Sequence, residues 1–299
     1  MKILLTGKNG QVGFELQRSL APLGELIALD RSQANLEDLT GLQKTLEAHR
    51  PDIIVNAAAY THVDKAESDE AAAYNVNARA VHALADYARA HDAFLVHYST
   101  DYVFDGEKSA PYVESDPTHP QNAYGRSKLA GEEAILQSHC KALIFRTSWV
   151  FSTHGNNFIK TIVKLIQERD SLDVVSDQVG APTSAEFIAT ITARAIAGYP
   201  AQALPLGLYH LAAAGETNWY GLACHVLDQL RHHSSQLPIQ TTKIHPITSK
   251  DYPTLAKRPG NSRLDTRKLS HALGLTLPDW TTHVDQMLQQ TTRPNRSRR

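Results

Sequence analysis

Five short, nearly unbroken apolar runs punctuate the first half of the chain: KILLTG (2–7), ELIALD (25–30), DIIVNAAA (52–59), AFLVHYST (93–100) and KALIFRTSWV (141–150). A strand with one face in water alternates apolar and polar residues, whereas a strand covered on both faces reads as a continuous run. The pattern therefore predicts the buried strands of a parallel sheet. Between the runs lie amphipathic stretches, 10–22 and 67–91 among them, long enough for crossover helices. This β-α-β-α order predicts an α/β fold, a doubly wound parallel sheet of Rossmann type. After Val150 the rhythm loosens. GNNFIKTIVKLIQERD (155–170) and SAEFIATITARAIAG (184–198) carry helical spacing, and LDVVSDQVGAPT (172–183) reads as a strand running into a loop. Residues 200–299 hold more prolines and shorter elements. The expected division is a wound domain over 1–150, to which later segments return, and a smaller, irregular part over 151–299 that binds substrate, ending in a disordered basic tail at 291–299.

Charge and cysteine usage narrow the function classes. Thirty Lys and Arg face 31 Asp and Glu, with a pI near 7.0, so no global field recruits nucleic acid or anionic lipid. Cys140 and Cys224 form no C-x-x-C and fit a reducing compartment. The fifteen histidines include no H-E-x-x-H and no Cys/His quartet, so scattered surface residues explain them better than a metal does. The opening MKILLTG is too short for a signal peptide, and no apolar run approaches the ~20 residues that span a bilayer. The expectation is a cytoplasmic globular protein, monomer or homodimer, with no nucleic-acid or membrane partner.

The first candidate chemistry lies in LLTGKNGQVGFELQRSL, which places Gly7, Gly10 and Gly13 between the first strand and the first helix. A pyrophosphate site needs glycine there: the chain turns tightly, its backbone approaches the phosphates, and the helix N-terminus offers free N–H groups. The spacing is G-x-x-G-x-x-G, a departure from the G-x-G-x-x-G fingerprint. Asp30, closing the second run, would accept hydrogen bonds from the ribose hydroxyls of NADH. Arg31, next to it, would pair with the 2′-phosphate of NADPH. The two residues argue opposite ways, and the cofactor is read as NADPH or NADH.

The second lies in NAYGRSKLAGE (122–132), where Tyr124 precedes Lys128 by four positions and so shares its helix face. Alone, such a pair is commonplace. Here it follows STDYVF, which puts Ser99 and Thr100 at the carboxyl end of the fourth strand, the edge where such sheets bind ligands.

Taken together, GKNGQVGFELQ, IVNAAAYTHVDKAE, STDYVFDG, YGRSKLAGE, FRTSWVF, GNNF, DQVGAPT, GLYHLAA and RPGNSRLDT resemble the extended short-chain dehydrogenase/reductase superfamily and, within it, the dTDP-4-dehydrorhamnose reductase family, over essentially the full length. The resemblance implies reduction of the C4 carbonyl of dTDP-4-dehydro-L-rhamnose by NAD(P)H, in nucleotide-sugar synthesis for cell-surface polysaccharide. It implies that Tyr124 donates the proton, that Lys128 tunes the phenol and binds the nicotinamide ribose, and that Thr100 aligns the reacting oxygen. A lysine charge 4 Å from the phenol is worth ~4 kcal/mol at an effective dielectric of ~20, enough to lower a pKa of ~10 by about three units. The family pattern also places Gly10, Gln11, Val12, Asp30, Asn35, Leu36, Ala59, Tyr60, Thr61 and Tyr98 around the cofactor, and Thr100, Asp101, Tyr124 and Trp149 around the substrate. Core packing alone would account for Trp149. Dehydratases of the superfamily carry Asp-Glu after the threonine; here Asp101 and Tyr102 follow, and the missing second carboxylate favours plain reduction. Some members bind Mg²⁺ through three carboxylates at a dimer contact. Glu15 and Glu186 match two, but the third position is Gln290, a weaker ligand for a hard cation, and two surface glutamates are the simpler reading. A 4-epimerase, or a non-catalytic dinucleotide-binding regulatory subunit, is the alternative.

Overall fold

The computed structural model describes residues 1–199, 204–233 and 237–292. Six parallel strands form the central sheet in the order Gly207–His210, Lys141–Thr147, Phe94–Thr100, Ile53–Asn56, Lys2–Thr6, Glu25–Leu29. The five apolar runs each supply one strand. The sixth, Gly207–His210, is a short edge strand from beyond residue 150. KALIFRTSWV divides: the sheet strand stops at Thr147, and Val150–Phe151 pairs separately with Thr183–Ser184.

Both faces of the sheet are covered, which is why the runs are continuous. Ile3, Leu5, Val55 and Val96 face a layer holding Leu16 and Leu20 of the first helix (Gln11–Leu20) and Ile188, Ile191 and Ala195 of the helix Ala185–Gly198. Leu4, Ile54, Leu95 and Ile144 face the other way, against Leu42 and Leu46 of the helix Leu39–His49 and Val81, Leu84 and Ala88 of the helix Ala80–Ala90. Each such Val, Leu or Ile side chain contributes about 1.5–3 kcal/mol on full burial. A third cluster joins Phe151, Ile159, Ile162 and Ile166 to Leu222, Val226, Leu230 and Val284, packed with the parallel pair Ser171–Val175 and Lys243–Ile247. Thr291 and Thr292 close the last helix, Trp280–Thr292, so the expected disordered tail does not begin at 291; its remainder, 293–299, lies outside the described residues.

The stretch 67–91 is not one regular helix. A π-turn, Asn75–Arg79, joins Glu70–Tyr74 to Ala80–Ala90. It swings Asn77 inward, where the amide accepts from Tyr60 N (2.9 Å) and donates to Tyr60 O (3.0 Å) and Ser127 Oγ (3.0 Å). The helix Ala123–Ser138 thus gains a fixed link to the loop after the third strand. Gly131 permits it: a Cβ there would lie 2.2 Å from Asn77 O. At the next residue, Glu132 and Arg146 form a buried bidentate ion pair, 1% and 5% exposed, that ties this helix to the strand Lys141–Thr147. Among the described residues no helix is long and apolar enough to cross a membrane.

Replacing Arg146 with Met strands the Glu132 carboxylate and should cost about 3–5 kcal/mol in urea unfolding. The double variant Glu132→Leu with Arg146→Met should recover most of it. A loss below about 1 kcal/mol in the single variant would contradict the pairing.

Candidate active site

The glycine loop is built by backbone proximity. Gly7 has φ of 76°, and a Cβ on it would lie 2.6 Å from Ala58 N; a Cβ on Gly13 would lie 2.0 Å from Gly7 O. Gly10 N donates to Gly7 O at 2.9 Å, and Gly10 caps the first helix without a side chain. The first-turn N–H groups therefore open onto the carboxyl edge of the sheet with no side chain over them, a cradle that fits a dinucleotide pyrophosphate. Gln11 Oε1 accepts from Asn157 Nδ2 at 3.1 Å, and Val12 packs into the core below. Asp30 accepts from Ser32 Oγ (2.6 Å) and Ser32 N (2.9 Å) and lies 3.2 Å from Lys8 Nζ; the serine hydroxyl, followed by Lys8, holds its carboxyl below the usual range. Arg31 pairs with Glu37 at 2.7 Å. Lys8, unweighed in the sequence reading, is thus a second cation at the ribose end of the loop. Asn35 Oδ1 accepts from Glu37 N, and Leu36 is buried beside it. Ala59, Tyr60 and Thr61 follow the third strand, where Asn77 fixes both polar backbone atoms of Tyr60.

The helix carrying Tyr124 and Lys128 is capped twice at its N-terminus and tied once more through Asn122. Asn122 Oδ1 accepts from Gly125 N (2.8 Å), Asn122 Nδ2 donates to Lys257 O (2.9 Å), and Glu67 Oε1 accepts from Ala123 N (2.7 Å). The helix lies directly on the turn after the fourth strand, because a Cβ on Gly125 would sit 2.2 Å from Tyr102 O. This contact brings Tyr124 to Thr100, and its ring meets Tyr102 edge-on at 5.6 Å.

The electrostatics differ from the sequence expectation. Burial of its hydroxyl end, then the Asp101 carboxylate, raises the Tyr124 phenol above its ordinary pKa, with a Thr100 hydrogen bond opposing. Lys128 directs its ammonium at the sheet: Nζ donates to Tyr98 O at 2.6 Å and lies 3.3 Å from His97 Nε2. Burial pushes Lys128 down to about 8, against the pull of Glu132. The Tyr98 carbonyl thus serves the site while its side chain turns into the core, with the hydroxyl 2.7 Å from Thr192 Oγ1. Thr100 donates its single hydroxyl hydrogen to Asp101 Oδ1 (3.0 Å) and accepts from Tyr102 N (3.2 Å). Only a protonated Asp101 frees that hydrogen for another acceptor. Burial pushes Asp101 up to about 6, with the hydroxyls of Ser262 and Thr100 pulling the other way.

Trp149 stands at φ 48° and stacks on Trp219 with ring centroids 3.6 Å apart. Trp219 Nε1 donates to Gln178 Oε1 at 3.0 Å, and a Cβ on Gly180 would meet the Trp149 ring at 2.6 Å. The two indoles line a cavity of about 120 Å³ that also reaches Gln11, Asn157 and Phe158, so the strained tryptophan faces the phosphate loop. Arg258 lies against the turn after the fourth strand, 2.7 Å from Asp64 Oδ2 and 3.3 Å from Tyr102 OH. Glu15, Glu186 and Gln290 line one small cavity. Arg18 already pairs with the first two, at 3.5 and 2.6 Å, and Ser152 Oγ donates to Glu15 at 3.0 Å. Among the described residues no group of three His, Cys, Asp or Glu could hold a metal, and this cluster does not fit Mg²⁺.

The raised Asp101 value is a stability statement. The folded state holds the proton more tightly than the unfolded chain, so the associated stability is full below the ordinary value of 3.8 and is lost as pH rises through about 6. The loss is on the order of 3 kcal/mol. Unfolding of Asp101→Asn at pH 4 and pH 7.5 should show the variant gaining on the native protein at the higher pH. A constant difference would contradict the buried carboxyl.

Residues 1–293 match the family model described as RmlD substrate binding domain. A dTDP-4-dehydrorhamnose reductase of Salmonella typhimurium is 50% identical, over 97% of this chain and 98% of that protein. Crystal structures of dTDP-4-dehydrorhamnose reductases from Clostridium acetobutylicum and, in complex with NADP, Bacillus anthracis superpose with TM-scores of 0.90 and 0.89 at 34% and 31% identity. They cover 98% and 97% of this chain and 100% of each crystallised chain. Matched over residues 1–293 and sharing fold and sequence along its length, the chain belongs to the RmlD family of dTDP-4-dehydrorhamnose reductases, within the extended short-chain dehydrogenase/reductase superfamily.

Proposed function

We propose that this chain reduces the C4 carbonyl of dTDP-4-dehydro-L-rhamnose to dTDP-L-rhamnose, with NADPH or NADH as reductant. The observation that carries the reading is the convergence of Thr100, Tyr124 and Lys128 on the sheet edge that also holds the glycine cradle. When bound, the nicotinamide supplies the hydride. The protein supplies position and the proton. Gly7, Gly10 and Gly13 admit the pyrophosphate to the helix N-terminus, with Gln11 and Val12 at its first turn. Asp30, Asn35, Leu36, Ala59, Tyr60 and Thr61 line the adenosine and ribose side, where Lys8 and Arg31 offer charge to a 2′-phosphate and Asp30 offers acceptors to a free hydroxyl. This mixture supports use of both cofactors.

Tyr124 donates its proton to the developing alkoxide. Its raised pKa keeps the phenol protonated in the resting enzyme, so the donor stands loaded at neutral pH. Lys128, held at the Tyr98 carbonyl, presents its remaining N–H to the nicotinamide ribose and favours phenolate once the proton has left. Thr100 aligns the carbonyl oxygen after Asp101 takes up a proton and releases the threonine hydrogen. Trp149 and Asp101 flank the sugar. In this reading residues 1–150 with the returning segments bind dinucleotide, and 151–299 mainly bind the nucleotide sugar. The activity belongs to the cytoplasm, as one step in supplying cell-surface polysaccharide, by a monomer or homodimer.

The test follows nicotinamide absorbance with dTDP-4-dehydrorhamnose made in situ from dTDP-glucose, with NADPH and NADH in parallel. Native protein should oxidise either cofactor rapidly. Tyr124→Phe should lose about 10²–10⁴-fold in kcat while its cofactor affinity stays within a few-fold. Near-native turnover of that variant would place the proton donor elsewhere; tight NADPH binding without oxidation would point to a binding module.

A further inference from the structure

Lys128 is 2% exposed and carries three N–H bonds, one of which goes to Tyr98 O. Its Nζ also lies 3.3 Å from Nε2 of His97, a wholly buried residue to which none of the roles above belongs. An ammonium only donates, so this contact is a hydrogen bond when Nε2 bears a lone pair and the ring carries its hydrogen on Nδ1. Nδ1 faces the Asn56 amide, with Nδ2 placed 3.1 Å away, and Oδ1 of that amide meets Thr6 Oγ1 at 2.7 Å. The two ends of an amide have one shape, and a hydroxyl both donates and accepts. Turning the amide over therefore keeps both contacts and gives Nδ1–H an oxygen. With Lys128 charged, one assignment gives each of the three contacts a donor and an acceptor: Lys128 donates to His97 Nε2, His97 Nδ1 donates to Asn56 Oδ1, and Asn56 Nδ2 donates to Thr6 Oγ1.

We propose that His97, as the neutral Nδ1–H tautomer fixed by Asn56 and Thr6, is a positioning residue that holds the Lys128 ammonium against the fourth strand and leaves one N–H for the cofactor side. The inference rests on Lys128 acting as proposed above. Titratable groups lie against that ammonium on both packed elements: His97 on the strand and Glu132 on its own helix, with Arg146 engaging Glu132; Tyr124, one turn back on that helix, has Asp101 beside its phenol. Burial, and then the lysine charge, holds His97 well below its ordinary range, so it stays an acceptor across the working pH. Removing the acceptor leaves one N–H of a buried ammonium unpaired, and its proton is lost more easily.

Two amide variants separate this role from a structural one. His97→Gln can place an oxygen near the Nε2 position, whereas His97→Asn can satisfy Asn56 and leaves nothing at Lys128. The asparagine variant should lower the alkaline midpoint of the kcat/KM profile by about one pH unit and weaken NADPH binding several-fold at pH 8. The glutamine variant should restore both toward native values. Equal behaviour of the two variants, or an unmoved profile in His97→Asn, would overturn the proposal. Long-range ¹⁵N NMR of the native protein reads the tautomer without turnover. A ring protonated at Nδ1 supports the contact even in a preparation that reduces no keto-sugar, a result that would count against the functional reading instead. A ring protonated at Nε2 overturns the proposal whatever the activity.

Discussion

A buried ammonium must find acceptors or give up its proton, and the catalytic edge of this protein is organised around that constraint. Lys128 meets it at the carbonyl of Tyr98, 2.6 Å away, on the strand that also carries Thr100. One bond thereby sets the position of the helix Ala123–Ser138 along the sheet. Everything else on that helix supports the same placement. Gly125 lets it touch the Tyr102 backbone, Gly131 lets it touch the π-turn at Asn77, and Glu132 grips Arg146 on the next strand. Tyr124 lands beside Thr100 because four separate contacts leave it nowhere else to go.

The same burial sets the protonation states. A phenol, a carboxyl and a lysine share one poorly solvated pocket, and each is shifted toward its neutral form. For the phenol that suits reductive chemistry, which must begin with a loaded proton donor; Asp101, pushed up to about 6, still carries its charge at pH 7. Asp101 is the instructive member. While ionised it takes the Thr100 hydrogen for itself; once protonated it releases that hydrogen. The carboxyl is therefore a control on the Thr100 hydroxyl.

Much of this was legible in the chain. The continuous apolar runs had to be doubly covered strands, since a half-exposed strand cannot afford consecutive apolar residues. The three glycines between strand and helix, and the four-residue step from Tyr124 to Lys128, followed from loop and helix geometry. What escaped were features set by tertiary contact. Gly207–His210 is short and lies at the sheet edge, so it carries little pattern. Asn77 looks like an ordinary helical asparagine until a π-turn rotates it inward. His97 hides inside a run read as apolar, and Lys8 sits one residue beyond a glycine read only for its turn. The expected Lys128–Tyr124 coupling gave way because the sheet carbonyl is the stronger partner for the ammonium. Glu15 and Glu186, read as two surface glutamates, both pair with Arg18, a counter-ion whose reach across two helices no spacing rule reveals.

The central claim is hydride delivery to a sugar carbonyl from a nicotinamide held at this edge, and isotope transfer tests it most directly. The protein should be given dTDP-4-dehydrorhamnose with NADPH deuterated in turn on each face of the nicotinamide C4, and the product read by NMR. The account predicts that one of the two labelled cofactors delivers deuterium to C4 of the rhamnose, with none washed into solvent. Product without deuterium at C4 from either cofactor, or deuterium at another ring carbon, would contradict it.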